Sequence, residues 1–295
     1  TPDAPSMTDS LQRFLFENTP VRGHLVHLDA TWRAVLERHE YPEPLRMLLG
    51  ELMAAGALLS ATLKFDGSLI MQLQGSGPVT LLVVEVTSEG TLRATANWTG
   101  DLVEGSLASL VGDGRFVISL VPKDGAQTYQ GIVDVHGDSV ADVLEHYMAT
   151  SEQLETKLWL ACDDQQASGM LIQKLPADDD HDADAWARIN HLAGTIKRDE
   201  LLRLPAREVM RRLFHEEDVR VFEATPLAFR CSCSRERVTG MLRMLGQAEV
   251  HSILEERGKI EVTCEFCRKR YVLDSVDAEQ VFAAAVQNPP GPTRH

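Results

Sequence analysis

Four of the chain's five cysteines fall in its last quarter, as Cys231-x-Cys233 and Cys264-x-x-Cys267, with 30 residues between the pairs. Two close thiol pairs joined by a stretch of chain that can fold back supply what a tetrahedral four-thiolate zinc site requires. The same sulfurs can also be oxidised to two disulfides, which withdraws every ligand from a metal. On spacing alone, Cys231 can bridge to Cys233 and Cys264 to Cys267, and a disulfide across one intervening residue is strained and easily reduced. The pattern leaves a static clip and a redox switch both open.

Arg230, Arg235, Arg237, Arg268, Lys269 and Arg270 flank the thiols. Positive neighbours favour the thiolate, which is the form that binds zinc and reacts with oxidants; they equally offset the charge of a zinc tetrathiolate. The remaining cysteine, Cys162, stands alone in an apolar run and reads as a small buried hydrophobe. His24 and His27 lie on an expected strand and read as exposed side chains rather than ligands. His215-Glu-Glu217 lacks the second histidine of a metalloprotease helix and reads as a charged helix end. Gly75-x-Gly77 and Gly112-x-Gly114 have no phosphate-binding helix after them and read as turns. No nucleophile elbow, Walker loop or defensible carboxylate pair is visible, so the expectation is a protein that is not an enzyme.

The elements around these residues divide the chain. Residues 1–177 mix strand and helix signals: Leu63 to Leu73, Val79 to Val86, Thr91 to Trp98, Arg115 to Pro122, Tyr129 to His136, Thr156 to Ala161 and Met170 to Leu175 read as strands. Short Gly-containing turns between neighbours imply mostly antiparallel pairing. Pro44 to Ala61 and Ser139 to Ala149 read as helices, the second with Asp138 as its N-cap. The fold class is therefore α+β. Residues 178–225 form a linker that opens on the acidic run Pro176 to Asp184. It continues as amphipathic helix, with Trp186, Ile189, Leu192, Ala193, Ile196, Leu201, Leu202, Leu204, Val209, Met210, Leu213 and Phe214 at helical spacing. That stripe needs a neighbour to cover it. Residues 226–287 read as a small zinc-binding domain: helices Arg235 to Leu245, N-capped by Ser234, and Ala248 to Glu256, then short strands Lys259 to Thr263 and Arg270 to Leu273 around the second thiol pair. Residues 288–295 read as a flexible tail. A core this thin is rarely self-sufficient, so a metal there supplies much of the folding free energy.

The length of 295 residues suits about two domains, and 44% apolar residues allow a sizeable core. Twenty-nine basic against 44 acidic side chains leave a net charge of −15. The imbalance is local: residues 1–225 carry 19 basic and 35 acidic groups, residues 226–285 carry 9 of each. A chain so acidic is repelled by phosphate backbones and anionic lipid, which argues against a nucleic-acid or membrane partner despite the cysteines. Thr1 to Ser10 have neither a basic nor an apolar segment of signal-peptide type. The long apolar stretch Leu45 to Ala61, interrupted by Arg46, Gly50, Glu51 and Gly56, reads as a buried helix. Paired thiols suited to metal point to a reducing, cytoplasmic compartment.

Cys231-Ser-Cys233-Ser-Arg-Glu-Arg237, followed some thirty residues on by Ile260-Glu-Val-Thr-Cys264-Glu-Phe-Cys267, resembles the zinc-binding redox domain of the thirty-three-kilodalton heat-shock protein family. The likeness continues upstream in Arg13-Phe-Leu-Phe-Glu-Asn18 with Val21-Arg-Gly23, and in Thr62-Leu-Lys-Phe-Asp-Gly67 and Gln72-Leu-Gln-Gly75. Tyr129-Gln-Gly131, Ser151-Glu-Gln-Leu154 and Leu204-Pro205 complete it. It covers nearly the whole chain. One departure is Arg268 after the second pair, where many zinc knuckles carry glycine.

The resemblance implies a redox-regulated, ATP-independent holdase chaperone. In the reduced state Cys231, Cys233, Cys264 and Cys267 would hold one zinc per chain. Oxidants would form Cys231–Cys233 and Cys264–Cys267 disulfides, release the metal, and unfold the small domain and the linker. Apolar surface would then meet unfolded clients, and the oxidised form would be a homodimer. Beside it stands a static zinc-stapled interaction module, for which oxidation abolishes binding. A thiol oxidoreductase using Cys264 and Cys267 lacks the βαβ unit that such chemistry requires.

Overall fold

The computed structural model describes residues 9–176, 182 and 184–287, with side chains as far as residue 282. Most of the acidic run after Pro176 and all of the tail 288–295 lie outside the described residues. The chain forms two compact units, residues 1–230 and 231–295.

In the first unit β1 (Ser10–Phe16), β2 (Val21–Leu28), α1 (Ala30–Leu36) and α2 (Glu43–Thr62) come first. An antiparallel run follows: β3 (Gly67–Gly75), β4 (Val79–Thr87), β5 (Thr91–Trp98), α3 (Leu107–Val111), β6 (Gly114–Pro122) and β7 (Tyr129–Asp134). Then come α4 (Val140–Thr150), β8 (Thr156–Cys162), β9 (Ala167–Lys174), α5 (Ala185–Ala193), α6 (Arg198–Arg203) and α7 (Ala206–Phe214). Three very short strands close the unit: β10 (Val219–Val221), β11 (Thr225–Pro226) and β12 (Ala228–Phe229). One sheet runs β10-β1-β2-β9-β8, with β11 also on β1; the other runs β12-β5-β4-β3-β6-β7. All pairings are antiparallel except β12 with β5. Mixed helix and antiparallel sheet is the α+β class expected.

Helix α2 lies between the sheets, which is why its sequence is apolar nearly all round. A Cβ on Gly50 would meet the Cys162 sulfur at 2.2 Å, and one on Gly56 would meet Val84 and Met71 at 3.1 and 3.2 Å. By length and composition this helix could cross a membrane, yet 67% of its most apolar window is buried inside the fold. Cys162 is buried against it, and burial foremost pushes its thiol well up, the opposite of a reactive cysteine. One helix cap and one strand start differ from the sequence reading. Ser139, not Asp138, caps α4, because Ser139 and Asp142 form a reciprocal box: the Ser139 hydroxyl accepts from the Asp142 amide (3.2 Å) and the Asp142 carboxylate from the Ser139 amide (3.0 Å). Strand β3 starts at Gly67, later than Leu63, where the Val121 carbonyl approaches to 2.2 Å of a would-be Cβ and only glycine fits. The Gly75 and Gly112 segments are indeed turns, lying side by side through the Gly77 amide donating to the Val111 carbonyl at 2.8 Å.

His24 and His27 are a correction. Both are buried, at 3% and 4% exposure, because β2 is a central strand covered on both faces. His27 Nδ1 sits 3.0 Å from the Ser168 hydroxyl. Burial holds His27 down to about 4, and burial with Arg22 and Arg13 nearby holds His24 down to about 3. Each histidine therefore takes up a proton on unfolding. Its contribution to stability is complete above about pH 6.5 and is lost as pH falls toward the folded-state value. Glu51, pushed up to about 7 by burial, works in the opposite sense between about pH 4.3 and 7. The difference between the wild type and His27→Gln isolates the histidine: urea unfolding should show a pH dependence shallower by up to about 1.4 kcal/mol per pH unit between pH 6 and 4.5. Identical slopes would mean that His27 is not buried neutral.

The amphipathic stripe finds its neighbour within the first unit. Ala185, Ile189, Ala193, Leu201, Leu202, Val209, Met210, Leu213 and Phe214 bury against Phe14, Phe16, Val21, Leu25, Met170 and Ile172, the face of the first sheet turned away from α2. Phe214 meets Phe16 edge-to-face at 4.9 Å and lies 6.1 Å from Phe14. Ion pairs fix the rim: Arg188 with Glu217 at 2.6 Å, Arg212 with Glu200 at 2.5 Å, and Arg203 with Asp163. His215 is the C-cap of α7, the charged helix end expected.

Candidate metal centre

The second unit comprises α8 (Arg235–Leu245), α9 (Gln247–Arg257), β13 (Ile260–Thr263), β14 (Arg270–Leu273) and α10 (Ser275–Gln287). Ser234 caps α8 by accepting from the Arg237 amide, and Gly258 ends α9 in the left-handed conformation, φ +70°. The hairpin β13–β14 pairs Ile260 with Leu273 and Thr263 with Arg270. The unit's buried apolar residues among those described are Val238, Leu242, Val250, Ile260, Tyr271, Leu273, Ala278 and Val281.

These elements converge on the sulfurs. Cys231 and Cys233 precede α8, while Cys264 and Cys267 sit on the turn of the hairpin. All four Sγ atoms lie within 4.8 Å of one another. Cys231 approaches Cys264 to 3.6 Å and Cys233 approaches Cys267 to 3.4 Å. Tetrahedral zinc with bonds of about 2.3 Å to sulfur needs S···S edges of about 3.8 Å, so the donor set fits. None of the thiols is bridged.

The backbone of the turn is arranged for thiolates. The amides of Cys267 and Phe266 point at Cys264, and that of Lys269 at Cys267. Such bonds favour the ionised sulfur. Cys233 accepts a hydrogen bond from the Tyr271 hydroxyl at 3.1 Å. Burial pushes the Cys233 thiol up, but the bonds from Tyr271 and the other sulfurs outweigh it and bring it to about 7. Burial foremost pushes Cys267 up to about 12 and raises Cys264 as well. Like charges in contact oppose one another's ionisation, so the four sulfurs titrate as a group.

Several of the flanking bases have other partners. Arg235 pairs with Asp277 at 2.6 Å, Arg270 with Glu261, and Arg237 donates to the Ser232 hydroxyl at 2.8 Å. Lys269 Nζ lies 5.2 Å from the centre of the Tyr271 ring. Arg268, the departure from glycine, keeps the glycine conformation: φ is +61°, with its amide donating to the Cys264 carbonyl at 2.8 Å. A left-handed non-glycine residue costs about 1–2 kcal/mol. Comparing two variants that both lack the charge, Arg268→Gly should hold zinc about fivefold more tightly than Arg268→Ala in competition with a chromophoric chelator. Equal affinities would show that the turn carries no such strain.

Comparison with known proteins rests on these residues and the fold around them. The Hsp33 protein family matches residues 9–274. A 33 kDa chaperonin from Methylobacillus flagellatus is 53% identical over 291 residues, covering 98% of this chain and 99% of that one. Another from Chromobacterium violaceum is 52% identical over 276 residues, covering 93% and 94%. The chain belongs to the Hsp33 protein family. The crystal structure of a 33 kDa chaperonin from Thermotoga maritima, at 22% identity, shares its fold with a TM-score of 0.83 over 96% of this chain and all of that one. The family is one of chaperones. Sequence reasoning found the four clustered cysteines. It missed Tyr271, whose role as a donor to sulfur has no signature beyond its place two residues into a strand.

Proposed function

We propose that the chain is a redox-switched holdase that works without nucleotide, with Cys231, Cys233, Cys264 and Cys267 as the zinc ligands and the sensor. The observation that carries this reading is the convergence of the four sulfurs in a unit whose core is too thin to stand alone. Bound zinc supplies neutralisation of the thiolates and a cross-link between the start of the unit and its hairpin. The chain's own part is to present four ionisable sulfurs with amide and Tyr271 donors aimed at them.

Oxidation of each pair of thiolates by one peroxide forms one S–S bond, passes two electrons to the peroxide O–O bond as it breaks, and with two protons from solvent yields two waters. Two such events leave no thiolate donor. In the folded cluster each sulfur of one pair has a close neighbour in the other, so proximity alone does not set the pairing. The resemblance to the family implies Cys231–Cys233 and Cys264–Cys267 as the pairs. The unit then unfolds. Helices α5–α7 lift from the first sheet, and the face of Phe14, Phe16, Leu25, Met170 and Ile172 becomes the apolar surface offered to unfolded cytoplasmic clients, with a homodimer as the active form.

The test is light scattering of a denaturing client in the presence of the reduced zinc-loaded protein and of the peroxide-treated zinc-free protein. Suppression of aggregation by the oxidised form alone is expected. Equal behaviour of the two forms, or suppression by the reduced form alone, would replace this reading with the static zinc-stapled module.

A further inference from the structure

Residues 218–230 form a strap that lies along two sheet edges. β10 and β11 pair with the outer edge of β1, at Phe14 with Val221, Phe16 with Val219 and Leu11 with Thr225; β12 pairs with the outer edge of β5. Beyond the paired strands themselves, the Glu17 amide donates to the Asp218 carbonyl (2.9 Å), the Phe222 amide to the Arg13 carbonyl (3.0 Å), and the Leu227 amide to the Asp9 carbonyl (3.1 Å). On β5, the Ala228 and Arg230 amides donate to the Gly90 and Leu92 carbonyls, each at 3.0 Å.

Along β1 the strap is held by this pairing and by the Gln12 side-chain amide donating to the Phe222 carbonyl, while further on Leu227 and Phe229 pack against the main core and Arg38 lies over the Phe229 ring. Val221 and Phe222 remain 39% and 38% exposed, so little apolar surface is buried with them. Each backbone bond contributes about 0.5–1.5 kcal/mol net. A short strand with few buried contacts belongs to the low-stability end of a fold. Its two ends are its anchors: α7 lies just before it, and Cys231 follows Arg230 directly.

We propose that the outer edge of β1 is a strand-addition site for an extended client segment, and that the strap occupies it until the switch is thrown. This rests on the holdase reading above, in which both anchors are lost together. Vacating the edge removes the backbone partners of the Asp9 and Arg13 carbonyls and of the Glu17 amide, a template for another strand. The strap shows what the edge accepts. Val219 packs against the cluster that contains Phe16 and Phe214, Arg220 pairs with Glu17 at 2.6 Å, and the Arg13 guanidinium lies over the Phe222 ring at 5.6 Å. The occupant is therefore an extended segment with a β-branched residue facing the apolar cluster, a basic residue beside it, and an aromatic residue two positions further on. Unfolded proteins expose such segments and folded ones pair them.

Residue-resolved amide exchange of the full-length protein tests it. The Glu17 amide should be protected in the reduced zinc-loaded protein and exchange at least about tenfold faster after peroxide treatment. It should slow again when an unfolded client is held, while β2 amides stay protected throughout. A Glu17 amide that never speeds up, or one that stays fast while client is held, overturns the site and leaves the holdase reading intact. Reprotection without any client overturns it as well, since a second copy of the chain then fills the edge. A labelled synthetic peptide copying residues 218–230 gives a second arm that does not depend on client holding. The Phe222→Pro variant, reduced and zinc-loaded, loses the amide that donates to Arg13 and should bind that peptide at least about tenfold more tightly than the wild type. Equal weak binding by both refutes strand addition. Failure of both redox forms to hold client removes the holdase reading, and the peptide arm still decides the edge.

Discussion

Replacing Cys264 by serine is expected to abolish stoichiometric zinc and to unfold the second unit while leaving the two sheets of the first paired. Structural zinc in small modules supplies about 10–16 kcal/mol of apparent folding free energy at neutral pH. The described core of this unit is eight buried residues, one of them an alanine. Serine keeps the shape of the site but is a poor zinc donor, and it leaves three sulfurs that cannot close a tetrahedron. Zinc content should fall from about one per chain to near zero. Amide protection should collapse from Ser234 through the hairpin, and persist in β2 and β9. The same pattern should follow treatment of the wild-type reduced protein with a strong chelator. A zinc-free Cys264→Ser protein with the hairpin still protected would show that the core suffices by itself, and a metal-dependent switch could not then work.

The second large effect should come from Phe214→Ala. This ring is 2% exposed and closes the contact between α7 and the first sheet, edge-to-face on Phe16 and beside Phe14. Truncating a buried phenylalanine costs about 3–5 kcal/mol through lost transfer energy and the cavity left behind. That loss falls on the packing of the linker helices, far more than on the core around α2. The reduced, zinc-loaded variant should therefore suppress client aggregation without oxidant and bind a hydrophobic dye that the wild type excludes. Its zinc content should be unchanged. Loss of global stability with no gain of holding would mean that the covered sheet face is only a structural core.

Much of the site was legible because metal ligation depends on residue type and spacing. Cys231, Cys233, Cys264 and Cys267 announce their chemistry in the chain, and the hairpin that brings them together follows from Gly258, short β-prone runs and a turn. The amphipathic stripe from Ile189 to Phe214 was equally plain, since helical periodicity survives in one dimension. What it covers was not. His24 and His27 read as exposed because polar residues usually are, and only the placement of β2 between β1 and β9, with helices on both faces, buries them. The strap was invisible for a related reason. Strands of two or three residues carry no periodicity, and their pairing partners lie about 130–210 residues away in the sequence.

The sequence alone determined the two close thiol pairs, the long helix α2, helix α4 and the amphipathic stripe, the α+β class and the acidic charge. Tertiary structure decided which face the linker helices shield, which sheet edges the chain fills with itself, and how the left-handed turn at Arg268 is built. The division has a physical cause. Ligand identity and helical periodicity are local properties of the chain, whereas burial and strand pairing depend on partners that only folding brings within reach.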